Sequence, residues 1–337
     1  MLLKVFRENQ PFTILILVLL MLVTGFMVIA HKSYVPFVHN QSSYALFYLL
    51  PGLHTLDNYP VISTVLNLSL LFISGFYLTR ITIRYQLLGS RSLMPLLIFV
   101  VLSLPFFISY RGFSYVLLSI PVFLFTLDSL FRASEQKSLS YAFFNAPLIL
   151  SIASMFNPFL LFFQLYVLFL LFRLRGQYWR ELVFLVLGAL WPYAILFALM
   201  FLTDVSFKQY FAEAIKLIKS GAGLDLSLIS WIAGGFYSTL FLISSWKALN
   251  DFVKMKIIVR RLSLLFLFLF LFPLAILLLW PTTHPENLLL VAVPLSYLFS
   301  YYFSNCRINL LNQVLFVLFL LTGPFIFFNS LLPEPLL

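Results

Sequence analysis

Apolar stretches of about membrane length recur along this chain from Pro11 to Asn329. A transmembrane helix needs roughly 20 predominantly apolar residues. On that basis the pattern predicts eleven spans, at about 11–30, 60–79, 92–109, 114–131, 140–156, 158–172, 182–202, 227–246, 262–280, 287–303 and 310–329. Most gaps between them carry Arg or Lys, or the breakers Pro and Gly. The fifth and sixth stretches are short and meet at Asn157-Pro158. They read either as two tilted helices or as a broken, partly re-entrant pair, which a bilayer admits only where protein covers the backbone. The expected class is all-α, a polytopic α-helical integral membrane protein whose single transmembrane domain covers 1–337.

Composition sharpens this. Hydrophobic residues make up 62% and charged residues 9%, whereas soluble domains run near half and a quarter. The mean hydropathy of +1.04 excludes a soluble domain carrying one anchor. A net charge of +10 does not indicate nucleic acid, because the charges sit in short clusters between apolar runs. With the N-terminus inside, sixteen of the 21 Lys and Arg residues fall on one side of the membrane, among them Lys4, Arg7, Arg84, Arg132, Lys247 and Arg307. The other five are Lys32, Arg111, Lys208, Lys216 and Lys219. Such a bias predicts N-terminus in and C-terminus out. The charged start and the run from Pro11 to Ala30 read as an uncleaved first span, since the run is long for a signal-peptide core. Cys306 is the only cysteine, so no internal disulfide is expected.

Two outer segments exceed a plain turn. Residues 31–59 hold three histidines and the aromatic run Tyr44, Phe47, Tyr48. In 203–226, Phe207, Tyr210, Phe211, Ala214 and Ile218 follow helical spacing with the lysines off that stripe. This predicts an amphipathic helix over about 206–219 in the outer interface, or a connector with no ligand.

Nucleotide-binding, zinc-protease and nucleophile-elbow motifs are absent from the sequence. Ionisable residues near predicted midplane depth are scarce, which disfavours a proton-coupled carrier. Asp128 is expected to pair with Arg132 four residues on. Asn67, Asn145 and Gln164 are expected to be buried as hydrogen-bond links between helices. The outer side is richer. All four histidines fall there, with Asp57 and Glu286. Arg111 stands in the short turn Ser109-Tyr110-Arg111-Gly112, where phosphate or carboxylate would match its fork, or where it snorkels to lipid headgroups. His54 and Asp57 are three residues apart and can form a general base with an orienting partner, or Asp57 can be the N-cap before Pro60. His284 and Glu286 enter the tenth span in the same way. The histidine spacing matches no standard metal-ligand set, so no cofactor is expected and a divalent metal is a minor alternative.

The order of these parts resembles the polytopic glycosyltransferases of the GT-C superfamily, which use polyprenyl-phosphate-linked sugars. The likeness rests on the outer loop 31–59 after the first span with its acid Asp57, and on the paired short helices around Ser151 to Leu160. It rests also on the basic inner loop Arg173 to Arg180 leading to Gly188-Ala189-Leu190-Trp191-Pro192, and on Glu286 to Pro294, which resembles a late segment of those enzymes. The chain departs from their pattern in having no acid from His31 to Leu56 and no Arg in the late segment. It also resembles polytopic membrane proteins of similar size from Bacteroidota, a likeness that implies no activity. The GT-C resemblance implies a protein of the bacterial inner membrane, acting in envelope biogenesis at the outer face. It implies Asp57 and His54 as catalytic residues, and Arg111, His284 and Glu286 as substrate-binding residues. Membrane lipid or polyprenyl-phosphate would be the partner, with other envelope membrane proteins as further candidates and no nucleic acid. Two other classes stay open: a non-catalytic subunit of a secretion, motility or envelope-assembly complex, and a lipid carrier or flippase.

Overall fold

A computed structural model of the protein describes residues 2–8, 10–30, 59–109, 113–135, 139–174, 179–202, 208, 212, 228–279 and 287–329. Among these there are no strands and twelve α-helices. They are α1 (Leu2–Glu8), α2 (Gln10–Ala30), α3 (Pro60–Arg84), α4 (Met94–Ser103), α5 (Tyr115–Glu135), α6 (Leu139–Phe156), α7 (Phe163–Leu174), α8 (Trp179–Leu202), α9 (Leu228–Asp251), α10 (Ile257–Leu279), α11 (Leu288–Asn305) and α12 (Leu310–Asn329). Short 3₁₀ segments continue α4 over Leu104–Ser109, precede α7 over Pro158–Phe162 and follow α9 over Phe252–Lys254. Apart from Ser92, Leu93 and Ser114, the described residues of the eleven expected stretches are helical, and α1 is an additional short helix before the first.

Among the described residues six helices are long and apolar enough to cross a membrane: Pro11–Ala30, Pro60–Arg84, Tyr115–Arg132, Trp179–Leu202, Leu288–Asn305 and Leu310–Asn329. Shorter apolar pieces gain reach from their 3₁₀ turns, which rise ~2.0 Å per residue against ~1.5 Å in an α-helix. On those rises α4 with its continuation extends about 27 Å, and the 158–174 segment about 28 Å. A hydrocarbon core is about 30 Å thick.

The core is built around α4 and α11. All ten residues of α4 are buried, held between α3, α11 and α12. Gly75 of α3 lets α4 approach, since a Cβ there would meet Leu96 Cδ1 at 2.6 Å. Aromatic rings fill the space around α11, with Phe266 stacked on Tyr297 at 4.4 Å between centroids and Phe299 against Phe319 at 5.7 Å. Helices α2, α8 and α12 are peripheral and expose continuous apolar faces, for example Leu15, Leu22 and Phe26 on α2.

Asn157 divides the fifth stretch from the sixth. Its backbone is extended, as a residue before proline prefers, and its side chain accepts from Phe159 N at 3.1 Å. One residue thus ends α6 and caps the next helix. The chain then folds back, because Gln164 Nε2 donates to Pro147 O and to Ser151 Oγ, both at 3.0 Å. The pair is antiparallel.

Two expectations need correction. Asn145 is exposed on α6 and does not link helices as a buried amide. The N-cap of α3 is Tyr59, with Pro60 in the first turn, so Asp57 lies two residues before the cap position. A proline in the first turn has no N–H to satisfy and its fixed φ suits the start of a helix.

Candidate functional site

Hydrogen bonds and ion pairs tie one end of the bundle into a continuous polar belt. It includes the C-terminal ends of α3, α5, α9 and α11 and the start of α10. Asp128 of α5 is its most enclosed acid, with a side chain 6% exposed. Arg132 donates to Asp128 Oδ2 at 2.6 Å, as the four-residue spacing predicts. Three further partners come from α3 and its C-cap. Tyr85 OH donates to Oδ1 at 2.9 Å, Tyr77 OH to Oδ2 at 3.4 Å, and Arg84 lies 3.6 Å away. This carboxylate meets two guanidiniums and two phenols. Its role here is to fix cations.

The belt continues through the turn after α3. Gln86 adopts a left-handed φ of 52°, uncommon for a residue with a Cβ, and Gly89 a φ of 73°. Lys256 Nζ approaches Gln86 Oε1 at 3.4 Å, and Asn305 Nδ2 reaches Leu88 O at 3.5 Å. Asp251 pairs with Lys247 at 2.8 Å and accepts from Tyr301 OH at 3.3 Å. Arg7 donates to the carbonyls of Phe303 and Cys306, both at 2.7 Å, and thereby caps α11. A cation suits the negative end of a helix dipole. Burial pushes the Cys306 thiol up, and Arg7 beside it pulls the other way.

Helix direction places the remaining ends. Because Arg84, Arg132 and Asn305 lie in the belt, Tyr59, Tyr115 and Asn287 lie at the opposite end of α3, α5 and α11. Bonds there agree. Asn67 Oδ1 accepts from Ser114 N at 3.0 Å, and Phe113 and Tyr115 pack on Leu66 and Leu70. Asn157 Nδ2 donates to Asn287 Oδ1 at 3.1 Å.

The sequence-predicted site residues Asp57, His54, Arg111, His284 and Glu286 all lie outside the described residues, as does most of 203–226, where Lys208 and Ala212 alone are described and helical. What the structure gives is their flanks. Tyr59, Phe113 and Asn287, the described residues next to Asp57, Arg111 and Glu286, sit at the end opposite the basic belt. Among the described residues no group of three or more His, Cys, Asp or Glu is placed to hold a metal, and all four histidines fall outside them. Sequence reading missed the partners of Asp128 other than Arg132, since Tyr77, Tyr85 and Arg84 come from a different helix and carry no local spacing signal.

Fold and composition are those of an all-helical polytopic membrane protein. No family model, curated protein or solved structure matches the chain.

Proposed function

We propose that this protein crosses a bacterial cytoplasmic membrane eleven times, with its basic end in the cytoplasm, and works at the opposite face on a polyprenyl-phosphate-linked sugar. The observation that carries this reading is the polarity of the bundle: cations gather at one end, and the flanks of the acid, the arginine and the His-Glu pair gather at the other. In this reading Arg111, with His284, holds the lipid phosphate, and the isoprenoid lies against the apolar helices. Asp57, oriented by His54, takes the proton from an acceptor hydroxyl as that oxygen attacks the anomeric carbon. The bond from that carbon to the phosphate oxygen breaks, the lipid phosphate leaves, and configuration inverts. Glu286 is the third substrate-binding residue in this reading.

The experiment is sugar transfer from a polyprenyl-phosphate donor by purified protein, comparing wild type with Asp57→Asn and Arg111→Lys. Loss of a general base typically lowers the rate about 10²–10⁴-fold, so Asp57→Asn should nearly abolish transfer while the protein still purifies folded. Arg111→Lys should raise the donor concentration needed, because an ammonium does not reproduce the bidentate fork. Full activity of Asp57→Asn would overturn the enzyme reading.

A further inference from the structure

The geometry points to a binding site for an anionic phospholipid at the basic end of the groove between α3 and α5. Three arginines and one acid gather there. Arg132 and Arg84 both lean on Asp128, and Arg80 lies over the Tyr77 ring at 6.0 Å. The acid neutralises one charge and leaves a surplus of two. The guanidiniums are not buried by these contacts: Arg84 and Arg132 keep 41% and 45% of their side-chain surface exposed, and Arg80 is exposed. Arginine has five donors in a fixed fork, so a guanidinium that gives one or two to Asp128 retains others for a phosphodiester. Tyr85 and Tyr77 hold Asp128 in turn, so the cations are positioned before any ligand arrives.

The surface beneath fits the rest of the molecule. One turn from Arg80 toward the membrane centre stands Phe76, with Ile73 below it, and Phe125 stands two turns from Arg132. All three are about half exposed, and Tyr77 and Phe125 close the groove between the helices with ring centroids 6.5 Å apart. Cations above and an open aromatic wall below, on the same helix faces, match a phosphate headgroup with its acyl chains. A free phosphate would use only the upper half. Basic pockets between helices on the cytoplasmic side are suited to anionic headgroups. This inference does not depend on the transferase reading.

The test uses full-length wild type, Arg80→Gln and Arg84→Gln in detergent, titrated with phosphatidylglycerol or phosphatidylcholine. Bound lipid is counted by native mass spectrometry, with inorganic phosphate as competitor. Wild type should retain phosphatidylglycerol over phosphatidylcholine. Each substitution should weaken phosphatidylglycerol binding by about fivefold, the effect of one cation near a charged headgroup, with Tm unchanged for Arg80→Gln, which lies outside the Asp128 ion pairs. Equal retention of both lipids, or wild-type binding by Arg80→Gln, would overturn the site. Displacement of the lipid by millimolar inorganic phosphate would overturn the lipid as occupant.

Discussion

The side-chain amide of Asn157 donates to Asn287 Oδ1 at 3.1 Å and joins two helix starts that lie 130 positions apart in the chain. Both residues are buried. Asn157 spends its oxygen on Phe159 N, so one side chain caps its own helix and pins the start of α11. Asn287 occupies the N-cap position of α11 without capping it, its oxygen turned to Asn157 instead.

Replacing Asn157 by Ala should therefore remove two bonds together. A lost cap typically costs about 1 kcal/mol and an interhelical bond in a membrane protein about 0.6 kcal/mol. Asn157→Ser keeps a cap acceptor but is too short to reach Asn287. Unfolding in mixed micelles should order the variants as wild type, then Asn157→Ser, then Asn157→Ala. A double-mutant cycle with Asn287→Ala should show coupling. Strict additivity would contradict the bond.

Two glycines should be intolerant of a methyl group and two should not. A Cβ at Gly188 would press on the Phe144 carbonyl across the α6–α8 crossing, and one at Gly323 on the Val101 carbonyl of α4. Backbone cannot step aside as a side-chain end can, and small residues are what let membrane helices approach this closely. Gly234 and Gly235 meet nothing within 4 Å. Gly188→Ala and Gly323→Ala should lower the thermal midpoint, while Gly234→Ala should hold it or raise it, helix propensity favouring Ala by up to about 1 kcal/mol. Equal behaviour of all three would contradict the packing.

The Cys306 thiol should resist alkylation. It is buried, and burial raises its pKa despite Arg7, so the reactive thiolate is scarce at neutral pH. A raised folded pKa means that this group's contribution to stability is complete below its unfolded value, about 8.5, and is lost as pH rises through the folded value. Maleimide should label Cys306 slowly at pH 7 in the folded protein and fast after denaturation. Rapid labelling of the native state would contradict the placement.

Hydropathy made the elements legible but not their arrangement. The stretches at 60–79 and 227–246 continue as helix to Arg84 and Asp251, because polar and charged final turns leave the apolar core without leaving the helix. Leu97 in α4 is fully buried and Leu190 in α8 is 59% exposed, yet both sit in strongly apolar runs. Lipid and protein interior select the same side chains, so the pattern does not separate a central helix from a peripheral one. Asn145, well inside α6, escaped the pattern for that reason: a polar residue within an apolar run can face outward. Asp128 with Arg132 was legible through its spacing, and Asn157-Pro158 through its backbone chemistry. The contacts from Tyr85 to Asp128 and from Asn157 to Asn287 were not, because they join distant segments.

Bundle polarity is the claim on which the rest stands, and cysteine accessibility tests it most directly. In a Cys306→Ser background, Asn58→Cys marks the end that flanks the candidate site and Lys254→Cys the basic end. Intact cells are treated with a membrane-impermeant thiol reagent and then permeabilised. The account predicts that Asn58→Cys labels at once and that Lys254→Cys labels only after permeabilisation. Labelling of Lys254→Cys in intact cells, or protection of Asn58→Cys, would contradict it.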